Sequence, residues 1–533
     1  MKQWVIAGAV LAVSLSACGG GGSGSGSPPA ASPPPPPPPP AGNSAPSVVA
    51  VVDKTVVDEG QPFAIDASAT TDADGDTIAF TIRQTSGPQM NLTSEGGGVF
   101  RYQTPYVAAD TPLSFEVTAT DGEDASTILV DVAISNYARL PLSTQWGAEL
   151  SRASMDGSVR AIGVDSFPDP VTLNERLLVV SENAGGSLDI HRLTPAANGS
   201  LSVPSPTLTL APDEQAGPAK IVFADFNLDT RMEFAVLSVT DSQVTAFRVE
   251  DGASGNDVVA ESGSAVVPGA CALAAIRVGD DRPLASVGEY PGILVGTEGN
   301  GLTAMLNDGN PRDIGLPTSG AGEFSRTQSL ATSGTACGFT AQSDLNGQGG
   351  YEIYAYDPVR QELVGYAEPV TTAATQTGTI AIQLPAPGMA LVDIDVGIGS
   401  AGQELVAAVF SDGRHDGNHA LLIFQNDGGM ITQTTVTLPN GVPSDLAFAS
   451  IDDGLSNDYD SDVVITVPET PYLYVFENLS SASVPGVVEF SDVAYFEVGF
   501  GAHVVAISEV DDTFGEDLVV GTDNGEVILF NQR

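Results

Sequence analysis

The chain has 533 residues, 42% of them hydrophobic, with 19 Lys and Arg against 67 Asp and Glu and a formal net charge of −48. So acidic a surface excludes nucleic acid as a natural partner, because phosphate binding rests on clustered Lys and Arg. It also opposes compaction by self-repulsion unless salt or divalent cations screen it, which points to calcium and to an exterior habitat.

The first residues, Met1-Lys2-Gln3-Trp4, lead into an apolar run from Val5 to Leu15 and then Leu15-Ser16-Ala17-Cys18. That run is far short of the roughly 20 residues that cross a bilayer, so residues 1–17 are predicted to be a secretory signal peptide and not a membrane span. Leu-Ser-Ala-Cys resembles a bacterial lipobox. The resemblance implies that Cys18 becomes a lipidated N-terminus, and Gly19 after it favours the outer membrane, facing the periplasm or the cell exterior. A secreted protein without lipid is the alternative. Residues 18–42 then form a tether, Gly/Ser-rich and ending in an unbroken Pro33–Pro40 row. As stiff polyproline this row holds the folded part at least ~25 Å off the bilayer.

Residues 43–137 are predicted to be a small all-β sandwich, with turn signals every roughly 8–12 residues. The succession VVDEGQPFAIDASAT, DADGD, QTSGP and TATDGED resembles the PKD/cadherin-like Ig sandwiches of secreted bacterial proteins. By that resemblance Asp72, Asp74 and Asp76, together with Glu59 and Asp121, hold a calcium at one end of the sandwich. An acidic turn capped by its own side chains is the competing reading.

From about Val164 one unit recurs seven times: a strand, an acidic loop, a second strand, a turn and a third strand. The second strands are Arg176–Ser181, Glu233–Ser238, Gly292–Thr297, Tyr351–Tyr356, Glu404–Phe410, Asp462–Val467 and Asp517–Thr522, all short and rich in β-branched residues. Their acidic markers recur every about 49 to 64 residues, the spacing of propeller blades with variable outer loops. No sustained 3.6-residue apolar period competes for a helical solenoid. A unit of this size cannot bury its own faces and must stack on its copies, so residues 138–533 are predicted to form a seven-bladed β-propeller. The seventh unit runs out in its third strand, and Gly147–Ser158 is predicted to supply its outer strand; a blade lacking that strand is the alternative.

The best-formed loop, Asp225-Phe-Asn227-Leu-Asp229-Thr-Arg231-Met-Glu233, offers side-chain oxygens at positions one, three and five, the Arg231 carbonyl at seven and a carboxylate at nine. Calcium takes about six to eight hard oxygens at flexible geometry, and alternate residues of a tight loop supply them. At this point the chain resembles the FG-GAP/VCBS family of propellers, whose loops place a similar acidic pattern before an apolar strand. Thr230 departs from that pattern where Gly is usual, and Glu233 where Asp is usual. The seventh repeat fits in outline through Glu509, Asp511, Thr513, the Gly515 carbonyl and Asp517. Repeats four (Asp344, Asn346, Gln348, Glu352), five (Asp393, Asp395, Glu404) and six (Asp452, Asp458, Asp460, Asp462) fit less well. Calcium in such loops is structural; loops capped by their own Asp and Asn side chains, without an ion, are the alternative.

Cys271 and Cys337 precede the acidic markers of repeats three and four by similar distances, which places both at the starts of neighbouring inner strands. A disulfide is expected there in an oxidising compartment, with two buried thiols as the alternative.

Catalytic constellations are scarce. His191 falls in a strand, and His415-Asp-Gly-Asn-His419 lacks a third ligand or a helix. The remaining histidine is His503, and neither G-x-S-x-G nor C-x-x-C is present. The sequence therefore reads as a non-enzymatic, calcium-dependent surface module that binds a polysaccharide or an envelope protein. The alternatives are a polysaccharide-processing enzyme, which needs a cluster of Arg, His, Tyr or Glu at one channel mouth, and a structural subunit of an envelope assembly.

Overall fold

The computed structural model describes residues 42–532 except 137–145, 165–175, 211–218, 228–231, 252–256, 278–290, 308–323, 331–334, 340–344, 346–351, 368–375, 399–402, 450–460, 480–489, 509–515 and interruptions of one to three residues. The described residues are all-β and contain no α-helix. Cys18 and the rest of residues 1–41 lie outside them.

The N-terminal body is two four-stranded sheets face to face. One is ordered Val51–Val52, Pro62–Asp66, Val99–Gln103, Leu92–Gly96; the other Val56–Asp58, Ala125–Ser135, Thr111–Thr120, Ala79–Ser86. Strand Thr111–Thr120 alternates strictly, turning Leu113, Phe115, Val117 and Ala119 inward. Between the sheets Phe63, Tyr102 and Phe115 pack with ring centroids 4.8 to 5.9 Å apart. Burial of this kind pushes the Tyr102 phenol up to about 12.

Seven antiparallel sheets follow in chain order. Their second strands are Leu177–Glu182, Glu233–Ser238, Pro291–Thr297, Glu352–Asp357, Glu404–Ser411, Asp462–Thr466 and Asp517–Thr522. Among the described residues six of the sheets have four strands, and the fourth, Glu352–Asp357, Glu362–Ala367 and Gln376–Ala381, has three. Where its first strand would lie there is a single bridge, Phe339 to Ala355. The outer strand of the seventh sheet comes from before the first: Trp146–Ser154 pairs antiparallel with Glu526–Gln532, joining Trp146 to Gln532 and Ser154 to Glu526.

The second and third strands read as continuous apolar runs because both of their faces are covered. In the fifth sheet Leu405, Ala407 and Val409 pack toward the sixth, while Val406, Ala408 and Phe410 pack toward the fourth. Seven hydrophobic clusters repeat this pattern. Six join each sheet to the next in sequence, and one joins the seventh to the first through Val504, Val519 and Leu529 against Val159, Leu177 and Val179. Neighbouring first strands approach closely enough to require glycine. A Cβ on Gly397 would lie 2.5 Å from the Phe448 ring, and one on Gly163 2.6 Å from Phe223.

Cys271, in the first strand of the third sheet, is disulfide-bonded to Cys337 beside the fourth, with Cα atoms 5.1 Å apart. The link staples two adjacent sheets across 66 residues of sequence. Asp393 and Asp395 depart from the sequence reading, which placed them in a calcium loop. They lie inside the first strand of the fifth sheet, Ala390–Ile398. Their carboxylates accept from the Leu446 and Phe448 amides of the sixth sheet, because residues two apart on a strand share a face.

Candidate functional site

Each of the seven sheets has two ends. At one end, loops join first to second strands, and here the expected calcium loops fall. Asp225, Asn227 and Glu233 are described, while Asp229, Arg231, Glu509, Asp511 and Thr513 are not. Glu233 opens its strand fully buried, its Oε2 accepting from the Phe226 and Asn227 amides (2.8 and 3.3 Å) and its Oε1 from Asn227 Nδ2 (3.1 Å). Phe226 and Asn227 are thus drawn onto the last carboxylate of the loop. Asp462 and Asp517 hold the equivalent place, also fully buried, and Asp462 Oδ1 accepts from the Asn478 amide at 2.7 Å. A fully buried acid therefore heads the second strand of the second, sixth and seventh sheets. Among the described residues no group of three or more His, Cys, Asp or Glu is placed to hold a metal ion.

In the N-terminal body, Asp72 Oδ1 accepts from the amides of Asp74, Gly75 and Asp76 (2.8 to 3.2 Å), the turn closing at Gly75 with φ +82°. Asp74 Oδ2 accepts from the Ser44 amide, and Asn43 Nδ2 donates to Asp121 and Asp124, so residues 43 and 44 tie the two acidic turns together. Hydrogen bonds from the Asp124 amide and from Asn43 hold the Asp121 carboxyl below the usual carboxylate range. Glu59 does not join them, contrary to the sequence expectation. It follows strand Val56–Asp58, which pairs with the Ser135 end of strand Ala125–Ser135, whereas Asp121 precedes the Ala125 end. An 11-residue strand at about 3.3 Å per residue separates the two.

At the other end of the seven sheets, the turns between second and third strands meet the segments that enter the first strands, and backbone hydrogen bonds knit them together. Gly501 N donates to Pro468 O, Asp523 N to Gly501 O, and Met155 N to Gly525 O. Two charged groupings lie here. His415 Nδ1 is 2.7 Å from Glu469 Oε2, which also accepts from the Val442 amide. His419, by contrast, is buried with Nδ1 on Ser411 Oγ at 2.8 Å, so the two histidines of the His-Asp-Gly-Asn-His turn serve different partners and form no metal pair.

The second grouping spans the seam between the seventh and first sheets. Arg160 reaches Glu182 through Nε (2.8 Å) and Nη2 (2.7 Å) and directs Nη1 to His503 Nε2 at 3.4 Å. That donation leaves Nε2 as the acceptor and puts the imidazole proton on Nδ1, which faces Asp523 Oδ1 at 3.6 Å. Ser158 Oγ donates to the same Asp523 oxygen at 3.1 Å. Burial lowers the His503 pKa; Asp523 pulls it up and the Arg160 guanidinium down, and the net shift is downward, favouring neutral imidazole. Arg160, Glu182, His503 and Asp523 were missed in the sequence because they come from four separate turns and strand ends with no local motif. Trp146 carries no exposed stacking surface: it is 2% exposed, with Nε1 on Glu516 O at 3.1 Å.

Residues 43–133 match the family described as Bacterial Ig domain. No curated protein matches the chain. Among solved structures, the Pseudomonas aeruginosa periplasmic gluconolactonase is 15% identical over 74% of this chain and 94% of its own, with a TM-score of 0.39. The WD40 domain of SCAP from fission yeast is 9% identical over 85% and 98%, with a TM-score of 0.35. A nucleoside hydrolase-related hypothetical protein from Saccharophagus degradans, associated with carbohydrate metabolism, is 18% identical at a TM-score of 0.15; the chain spans 26% of its length, over 18% of this chain. Likenesses at these TM-scores carry no argument about fold or activity.

Proposed function

We propose that the seven sheets are the blades of one closed β-propeller and that the protein is an envelope-anchored binding module. It is held at the outer membrane by lipid on Cys18 and recognises a polysaccharide or an envelope protein through the turns at one end of the propeller. The observation that carries the reading is the cyclic succession of hydrophobic clusters, each sheet sharing one with its neighbour and the seventh sharing one with the first. Stacked blades leave their turns as a continuous face for recognition, which needs no catalytic residue. Calcium at the Asp225 and Glu509 loops, and at Asp72, Asp74 and Asp76, has a structural part in this proposal: it offsets a charge of −48 and, at the first of these loops, adds to the hold that Glu233 has on Phe226 and Asn227.

The test is capture of the chain from Gly42 on by immobilised glycans and envelope extracts, once in calcium and once in chelator. Calcium-dependent capture of a defined partner supports the proposal, and no capture under either condition overturns it. The calcium assignment has its own readout. Asp225→Ala combined with Asp229→Ala is expected to lower the thermal midpoint in calcium and leave it unchanged in chelator; equal loss in both shows that no ion is held there.

The seam favours a second reading, a polysaccharide-processing enzyme. A neutral, half-buried imidazole whose Nδ1–H faces a carboxylate has the pairing of a general base, and it takes a proton on Nε2 once Arg160 releases that nitrogen. Turnover of any polysaccharide by the wild type, reduced at least about a hundredfold in His503→Ala, would establish it. Turnover that survives the substitution removes His503 from the chemistry.

A further inference from the structure

We infer that the Ig domain is a fixed cap, clamped by a buried carboxylate over the fifth and sixth sheets, and not a spacer on a flexible link. Glu59 is fully buried. Its Oε2 is satisfied within the Ig domain by the Val107 amide at 2.7 Å, while its Oε1 accepts from the hydroxyl of Tyr472, 413 residues away, at 3.1 Å. A second contact runs parallel: Asn440 Nδ2 donates to Gln61 Oε1 at 3.2 Å. A carboxylate removed from water is tolerated only where its oxygens meet donors, so this contact specifies one docked orientation.

Both sides are held rigid before they meet. In the Ig domain the Glu59 amide is bonded to Ser135 O, and the Gln61 amide to Asp58 O and Thr104 Oγ1. On the sixth sheet the Tyr472 turn carries Pro468 and Pro471, whose carbonyls accept from the Gly501, Val498 and Gly499 amides, and Thr470 Oγ1 caps the turn at Tyr472 O. Tyr474 donates to Asn440 O at 2.6 Å and so positions the second contact. Turns of fixed shape lose little conformational freedom on docking. The link is also short. Strand Ala125–Ser135 ends ten residues before strand Trp146–Ser154 begins, and a short tether supplies an effective concentration of order millimolar, at which even a weak complementary contact stays closed.

The cap sits on the end of the sheets that carries His415, Glu469 and the His503 seam. Arg160, Glu182 and Asp523 remain 38 to 48% exposed there.

The test is the distribution of distances between spin labels at Leu129→Cys in the Ig domain and Val359→Cys in the fourth sheet, both strongly exposed, in the chain from Gly42 on. One narrow distribution is expected, widening at least twofold when Tyr472→Phe is combined with Asn440→Ala at an unchanged thermal midpoint. Gln61→Ala, on the Ig side, is the second variant and is expected to widen it in the same direction. A broad distribution in the wild-type sequence overturns the inference, as does a narrow one that neither variant widens. These distances are read without any ligand, so their outcome is separate from that of the glycan-capture experiment.

Discussion

Trp146→Ala is expected to cost about 3–5 kcal/mol, the usual toll for removing a fully packed tryptophan. The side chain is 2% exposed, packs edge-on against Phe496 at 5.5 Å, and belongs to the cluster that joins the sixth and seventh sheets. It also heads the only strand of the seventh sheet that comes from the N-terminal side, paired at Gln532. Truncation leaves a cavity and weakens the seam between the ends of the repeat array together. Trp146→Phe keeps most of the packing and loses chiefly the bond from Nε1 to Glu516 O, so about 1 kcal/mol is expected for it. Urea unfolding in chelator, where calcium does not contribute, measures both. A cost below about 1 kcal/mol for the alanine variant would show that this strand is dispensable to the fold.

Raising the pH from about 5 to about 8 is expected to weaken the fold through the carboxyls of the first strands, against the usual behaviour of a paired aspartate. Burial pushes Asp395 up to about 6 from an ordinary 3.8, and the neighbouring Asp393 adds to the rise. Burial raises Asp445 well above its ordinary value, and Asp393 contributes both by charge and by a shared hydrogen bond. The folded state thus binds protons that the unfolded chain releases. Stability from Asp395 is fully present below about pH 4 and is lost as the pH rises through about 6, at most about 3 kcal/mol for a shift of about two units. Asp445→Asn imitates the protonated form: its carbonyl still accepts from the Val505 amide, as Oδ2 does at 2.8 Å, and its amide donates to Asp393. The variant is expected to exceed the wild type in stability at about pH 8 and to lose that advantage by about pH 4. An advantage that does not change with pH would mean that Asp445 is already ionised in the folded state throughout.

Much of the seven-fold array was legible in the sequence because its middle strands are buried on both faces. Runs such as Leu-Val-Ala-Ala-Val-Phe at 405–410 admit no exposed position, and turns bound them on either side. The predicted second strands accordingly begin within a residue or two of the observed ones. First strands were less legible. They pack on one another and carry Asp393, Asp395 and Asp445 on their mutual contacts, so a loop-like acidic pattern occurs inside a strand. In the fourth sheet the described residues pair with the second strand on that side only through the Phe339–Ala355 bridge, which no local pattern announces. The seam grouping was invisible for a different reason. Arg160, Glu182, His503 and Asp523 meet only because the seventh sheet packs on the first, and Arg160 and His503 are 343 residues apart in sequence. The clamp of Glu59 on Tyr472 is the same case at 413 residues.

The strand Trp146–Ser154 fixes an order of events in biogenesis. It emerges early during synthesis, yet its partner, Glu526–Gln532, is made almost four hundred residues later. For that interval the early strand carries unpaired amides and carbonyls beside Trp146, the kind of edge on which chains join to one another. Joining strands so far apart is a slow step, because a long loop must close before any contact offsets its entropy. The Ig domain, complete by Ser135, has no such wait. Nascent chains arrested before residue 526 are thus the species most exposed to aggregation, and a holding chaperone would act on them first.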